Sequence, residues 1–144
     1  MFKKKNQVRS DAFVFCHGML GFGEDELVNK FMPYWGGFSG SFVKRLQKQG
    51  YEATAPSFSS IGSAWDRACE VYASLTGTQV DYGIAHSKKY GHARFGKVYT
   101  EAKLPNWGKI ADDGEIQRIH LLGHSFGGAT VRMLSHLMAY GSVE

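Results

Sequence analysis

The chain has 144 residues, 43% hydrophobic and 14% aromatic, which suits one domain with a buried core and excludes a disordered tail. Its net charge of +4 is spread along the sequence apart from Lys3, Lys4 and Lys5; a nucleic-acid groove would want clustered basic residues, so no nucleic-acid partner is expected. The two cysteines, Cys16 in an apolar run and Cys69 in a helical stretch, read as small buried hydrophobes and define no disulfide framework.

The first residues carry positive charge with no long apolar segment behind them, so no secretion leader is expected within this sequence. No run of about 18 apolar residues predicts a transmembrane helix. Residues 12–16 are apolar, aromatic and β-branched and stop at His17-Gly18, the pattern of a buried strand entering a loop. The loop over 19–40 holds Gly21, Gly23, Gly36, Gly37 and Gly40 together with Phe22, Phe31, Tyr34, Trp35 and Phe38. That many aromatics predict a packed wall or pocket lining. Residues 41–49 read as a helix capped by Ser41, with Phe42, Val43 and Leu46 on one face and Gly50 as its stop. A second short strand over 51–56 completes a βαβ unit and implies a parallel sheet.

A further helix starts at Ser63 in capping-box form, with Asp66 three residues on, runs to about Leu75 and ends at Gly77. The stretch 78–107 lacks clean periodicity and is expected to be an irregular insertion between sheet strands. Asp112-Asp113-Gly114 is a turn signal. Residues 116–122 predict the third strand and residues 129–140 a helix, with Val131, Leu134 and Met138 on one face and Gly141 as the stop. The fold class is therefore α/β: parallel strands with crossover helices.

Between the last strand and helix stands Gly123-His124-Ser125-Phe126-Gly127, a G-x-S-x-G sequence. In that pattern the serine occupies a sharp strand-to-helix turn, exposed at the sheet's C-terminal edge and at a helix N-terminus. The glycines are needed because side chains there would collide across the turn. Ser125 is accordingly the expected nucleophile; the alternative is an ordinary turn with Ser125 as helix N-cap. Backbone N–H groups of Met19, in the loop after the first strand, and of Phe126 are the expected oxyanion donors. His17 is expected to hydrogen-bond its own loop, and His124 to be a turn residue, since a base adjacent in sequence to its nucleophile is unsuited to the role. Asp66, His86 and His92 have side chains suited to zinc, but read alone they better suit a capping-box acid and two polar surface or core histidines.

Several stretches together resemble one family: the strand-His17-Gly18 loop, Tyr34-Trp35-Gly36-Gly37, Trp65-Asp66-Arg67-Ala68-Cys69-Glu70, Val80-Asp81-Tyr82-Gly83, His86, Gly91-His92-Ala93-Arg94-Phe95-Gly96 and Gly123-His124-Ser125-Phe126-Gly127-Gly128. From about residue 11 onward the chain resembles the secreted zinc-containing lipases of the thermophilic bacillus and staphylococcal group. The resemblance implies hydrolysis of triacylglycerols and other acyl esters by a Ser-His-Asp triad, a lipid substrate, an extracellular setting, and a structural zinc held by Asp66, His86 and His92. It implies a partial α/β-hydrolase fold with a zinc-lobe insertion at about 62–108, and places a fourth zinc ligand, the catalytic Asp and His, a calcium site and lid helices outside these residues, so that 1–144 is expected to be the N-terminal part of one hydrolase domain. Met19 stands where members usually carry Phe, and Phe126 where they often carry Gln or Met; both act through backbone, so the hole tolerates them.

Other readings are a non-catalytic fragment or pseudoenzyme of the same fold, and a related acyltransferase or thioesterase. His136 follows Ser125 along one helix and would lie roughly 16 Å away at about 1.5 Å rise per residue, out of reach as a base. The 144-residue chain by itself is therefore expected to be inactive and, with an apolar strand at the sheet edge, poorly soluble.

Overall fold

The computed structural model describes residues 7–142; the basic run Lys3, Lys4 and Lys5 and the acidic Glu144 lie outside the described residues. In chain order the elements are β1 (Asp11–Cys16), α1 (Leu27–Phe31), α2 (Phe42–Lys48), β2 (Glu52–Thr54), α3 (Ala64–Thr76), β3 (Gln79–Asp81), α4 (Ile84–Tyr90), β4 (Phe95–Val98), β5 (Arg118–Gly123) and α5 (Gly127–Tyr140). β1 is the centre of a three-stranded parallel sheet ordered β2-β1-β5, with Ala12 opposite both Glu52 and Ile119. The expected strands are all present; the third begins two residues late, Ile116 forming instead an isolated bridge to Ile110.

From Ala12 to Cys16 β1 is apolar because both its faces are covered. Ala12, Val14 and Cys16 turn to one side and pack with Ala68, Val71 and Leu75 of α3 and Leu134 of α5. Phe15, with Phe13 beside it, turns to the other and meets Val43 and Leu46 of α2, Ala53, Ala55 and Trp35. Each Val or Leu so buried contributes about 1.5–3 kcal/mol. The result is a three-layer αβα arrangement that fixes the C-terminal ends of β1 and β5 side by side.

Local signals set the helix limits. The Ser41 side chain accepts from Lys44 N–H and that of Ser63 from Asp66 N–H, and Gly77 ends α3 in the left-handed conformation at φ 69°. On α5 the apolar face differs from that expected: Leu134 is buried and Val131, Met133 and Leu137 pack beside it, whereas Met138 is exposed. The glycine-rich loop is only partly a packed wall. Tyr34 and Trp35 pack, while Phe31 and Phe38 are exposed.

The stretch 78–107 is not irregular as expected. β3 and β4 form an antiparallel pair with a bulge between Gln79 and Asp81, and α4 lies between them. Elements of three to seven residues, one interrupted by a bulge, are too short to print a period on the sequence. No helix of the described residues is long and apolar enough to cross a membrane.

Candidate active site and metal cluster

The turn between β5 and α5 carries Ser125 at φ +54°, one of two non-glycine residues with left-handed backbone among the described residues. The other, Leu20 at φ +57°, belongs to the loop that faces it. Such conformations cost of order 1–3 kcal/mol and persist only where the surroundings enforce them. Here Gly127 N–H donates to His124 O at 2.8 Å and Gly128 N–H to Ser125 O at 2.9 Å, closing the turn. Ser125 is exposed, and the residue at the N-cap position of α5 is Phe126, not Ser125.

The glycines around it have two different reasons. A Cβ on Gly123 would come within 2.4 Å of Gly127 O, a collision across the turn as expected. A Cβ on Gly127 would instead meet Cys16 O at 2.1 Å, so this glycine is set by the close approach of α5 to β1.

The loop after β1 comes equally close. A Cβ on Gly18 would lie 2.9 Å from Ser125 Cβ and 3.1 Å from His124 O. Met19 N–H and Phe126 N–H, the two expected oxyanion donors, sit on these two facing segments, and among the described residues neither has an acceptor. Tyr34 joins the segments: Gly18 N–H donates to its hydroxyl at 3.0 Å, leaving the O–H to donate to His124 Nδ1 at 2.8 Å. His124 is thus a turn residue held by Tyr34. His17, fully buried, donates Nδ1–H to Gly18 O at 2.9 Å and stacks on Phe58 at 4.0 Å. Burial pushes its imidazole below the ordinary histidine value, the nearby Arg67 charge acting in the same direction and the Gly18 carbonyl opposing. Its Nε2 is buried without a partner.

Sequence reasoning missed Arg67. Its side chain is fully buried on α3 between the rings of Phe58 (4.9 Å) and Phe126 (5.2 Å). Nη2 donates to His17 O, and to Gly18 O at 3.3 Å; Nη1 reaches Ser60 O at 3.4 Å, and Nε donates to Thr130 Oγ1 at 3.0 Å. No local signal could have found it, because the partners lie far away in sequence.

The second cluster is Asp66, His86 and His92, whose ligand atoms all lie within 4.8 Å of one another. Asp66 Oδ1 is 3.0 Å from His86 Nε2 and 3.6 Å from His92 Nε2. A tetrahedral zinc with bonds of about 2.0–2.1 Å needs donor atoms roughly 3.3 Å apart, and the two Asp66–histidine distances bracket that value. The remaining donor atoms are also engaged suitably. Asp66 Oδ2 accepts from Ser63 Oγ at 2.7 Å, and His92 donates Nδ1–H to Ala93 O at 2.9 Å, which turns its Nε2 lone pair toward the cluster. Trp65 stacks on His86 at 4.9 Å and holds the ring's plane. Asp66 is therefore both bonded to its N-cap and a member of the cluster, its carboxylate taking the Ser63 hydroxyl and not the Ser63 N–H of a full capping box.

A parallel sheet covered on both faces, with a strained serine at the mouth of its last strand, defines an α/β protein with its candidate chemistry at the sheet's C-terminal edge. The chain belongs to the family described as "Lipase-like, C-terminal domain", which it matches over residues 9–144. It is similar to the lipase of Staphylococcus epidermidis, 41% identical over 142 residues, and to lipase 2 of Staphylococcus aureus, 41% identical over 144 residues. Those alignments cover 99% and 98% of this chain but only 20% of each relative, so the chain spans about a fifth of the curated relatives it matches. Among solved structures it resembles lipase 1 of Pelosinus fermentans (TM-score 0.78, 41% identity, 89% of this chain and 32% of that one). It also resembles Staphylococcus hyicus lipase (TM-score 0.75, 36% identity, 100% and 38%).

Proposed function

We propose that these residues supply the nucleophile and oxyanion hole of a serine-dependent lipase acting on triacylglycerols or other acyl esters, and that residues 1–144 form the N-terminal part of one hydrolase domain with a metal lobe at about 62–108. The observation that carries this reading is the exposed Ser125 at φ +54°, set against the Gly18 loop so closely that a Cβ on Gly18 would touch its own. Ser125 Oγ attacks the ester carbonyl carbon as a base takes its proton. The carbonyl π bond opens to an oxyanion that receives hydrogen bonds from Met19 N–H and Phe126 N–H. Collapse re-forms the carbonyl, breaks the ester C–O bond and releases the alcohol with the proton from the base. Water then hydrolyses the acyl-serine by the same sequence. Among the described residues no histidine hydrogen-bonds Ser125 Oγ, and His124 is engaged by Tyr34; we place the base and its orienting acid outside residues 1–144.

Asp66, His86 and His92 would hold a structural zinc, with a fourth ligand from outside residues 1–144. These residues would let a bound ion cross-link α3, α4 and the turn that follows it, a structural role.

The test is labelling of the complete protein with a fluorophosphonate probe. Attachment to Ser125, abolished together with ester hydrolysis in Ser125→Ala, is expected. Label on another serine, or hydrolysis surviving in that variant, overturns the assignment.

A further inference from the structure

We propose that Arg67 is a positioning residue that clamps the two halves of the oxyanion hole together and strengthens the Met19 N–H as a donor; this rests on the reading of Ser125 as nucleophile. The geometry makes the connection on both sides. Toward the loop, the guanidinium donates to the carbonyls of His17 and Gly18. Toward α5, it donates to Thr130 Oγ1, which itself donates to Phe126 O at 3.3 Å, and the Phe126 ring lies over the guanidinium. One side chain therefore spans from the loop that carries Met19 to the helix turn that carries Phe126.

The Gly18 carbonyl and the Met19 N–H belong to the same peptide unit. A cation hydrogen-bonded to that oxygen withdraws electron density through the amide and makes its N–H a better donor. The His17 carbonyl stands in the same relation to Gly18 N–H, which holds Tyr34.

The charge is also oddly placed for a purely structural role. Arg67 is fully buried, and among the described residues no carboxylate forms an ion pair with it, the Glu70 charge acting on it only through space. Burying an unpaired guanidinium costs stability; a neutral side chain could serve as a spacer. A negative charge that develops nearby only in the transition state gives the arrangement a use, since an opposing carboxylate would already have cancelled it.

The experiment compares wild type, Arg67→Lys, Arg67→Met and Thr130→Val in the complete protein. It measures kcat and KM on a short-chain ester, affinity for an alkyl boronic acid that forms a charged tetrahedral adduct, and the thermal midpoint. We expect Arg67→Met to lower kcat by about 10²–10³-fold, the scale of losing one oxyanion donor, with boronate affinity falling in parallel and KM nearly unchanged. Arg67→Lys, which keeps the charge but loses the planar fork, falls between, and Thr130→Val loses less than Arg67→Met. A stable Arg67→Met with kcat and boronate affinity at wild-type values overturns the proposal. If Arg67→Met does not fold, Arg67→Lys and Thr130→Val with unaltered kcat and boronate affinity overturn it. A wild type without Ser125-dependent hydrolysis sinks the nucleophile reading and this one with it; an active wild type with unaffected variants sinks this one alone.

Discussion

Gly127 and Gly128 are adjacent, both in the first turn of α5, and the structure gives alanine opposite consequences at the two positions. At Gly128 a Cβ finds nothing within 4 Å. Alanine there removes backbone freedom from the unfolded chain and gains about 0.5–1 kcal/mol. At Gly127 the same atom would lie 2.1 Å from Cys16 O and 2.9 Å from His17 O, where real Cβ contacts essentially never fall below 3.0 Å. Both obstacles are backbone, and the His17 carbonyl is gripped by Arg67, so α5 must back away from β1 by about an ångström. Overpacking of this kind costs about 1–3 kcal/mol, and the strand it displaces leads into the Gly18 loop. The two variants should therefore differ by about 1.5–4 kcal/mol. At about 2–4 °C per kcal/mol for a chain of this size, the midpoints in a circular-dichroism melt should lie about 3–16 °C apart, with wild type between them. Gly127→Ala melting at or above wild type would refute the close-approach argument, as would Gly128→Ala melting below Gly127→Ala.

If Asp66, His86 and His92 hold zinc, adding the ion at a hundred times its Kd should stabilise the protein by about 2.7 kcal/mol, or about 5–11 °C in Tm; the combined His86→Ala and His92→Ala variant should show no shift, and an equal shift in both would place the ion elsewhere. His17 gives a pH signature: its folded pKa lies below the ordinary value because of burial, so just below about pH 6.5 the unfolded chain holds the extra proton and stability is lost as pH falls. His17→Gln should flatten that part of the curve in urea titrations between pH 5 and 8; identical slopes would show that His17 does not carry the dependence.

What was legible in the sequence was local. Ser63 with Asp66, Ser41 with Lys44 and the stop at Gly77 are contacts within a few residues of one another, and the structure reproduces each one. The apolar run ending at Cys16 announced a strand buried on both faces, because every side chain from Ala12 to Cys16 meets a helix or a neighbouring strand. The β3-α4-β4 insertion was unreadable for the opposite reason: its ordering comes from distant pairings such as Tyr82 N–H to Arg94 O at 2.8 Å and Tyr99 N–H to Thr78 O at 3.0 Å. The turn at Ser125 could be recognised by pattern. The elements that hold it (Tyr34, Arg67 and Thr130) are recruited across long sequence separations, and no periodicity or spacing marks them.

α3 explains why the two clusters occur together. Asp66 and Arg67 are consecutive, and consecutive residues on a helix point about 100° apart. Asp66 consequently faces the histidines of the insertion while Arg67 enters the core toward the Gly18 loop. One turn later Glu70 accepts from Tyr82 O–H at 2.9 Å and from Ser59 N–H at 2.6 Å, tying β3's exit to the segment whose Ser60 carbonyl receives Leu20 N–H at 2.9 Å. Burial together with the Glu70 carboxylate pushes the Tyr82 hydroxyl well above its ordinary value, so it remains a donor across the working pH range. The insertion thus touches the serine's facing loop through two routes that share a single helix. α3 is anchored in the core by Ala68, Val71 and Leu75, all fully buried, so both routes start from one helix whose place on the sheet is set by packing.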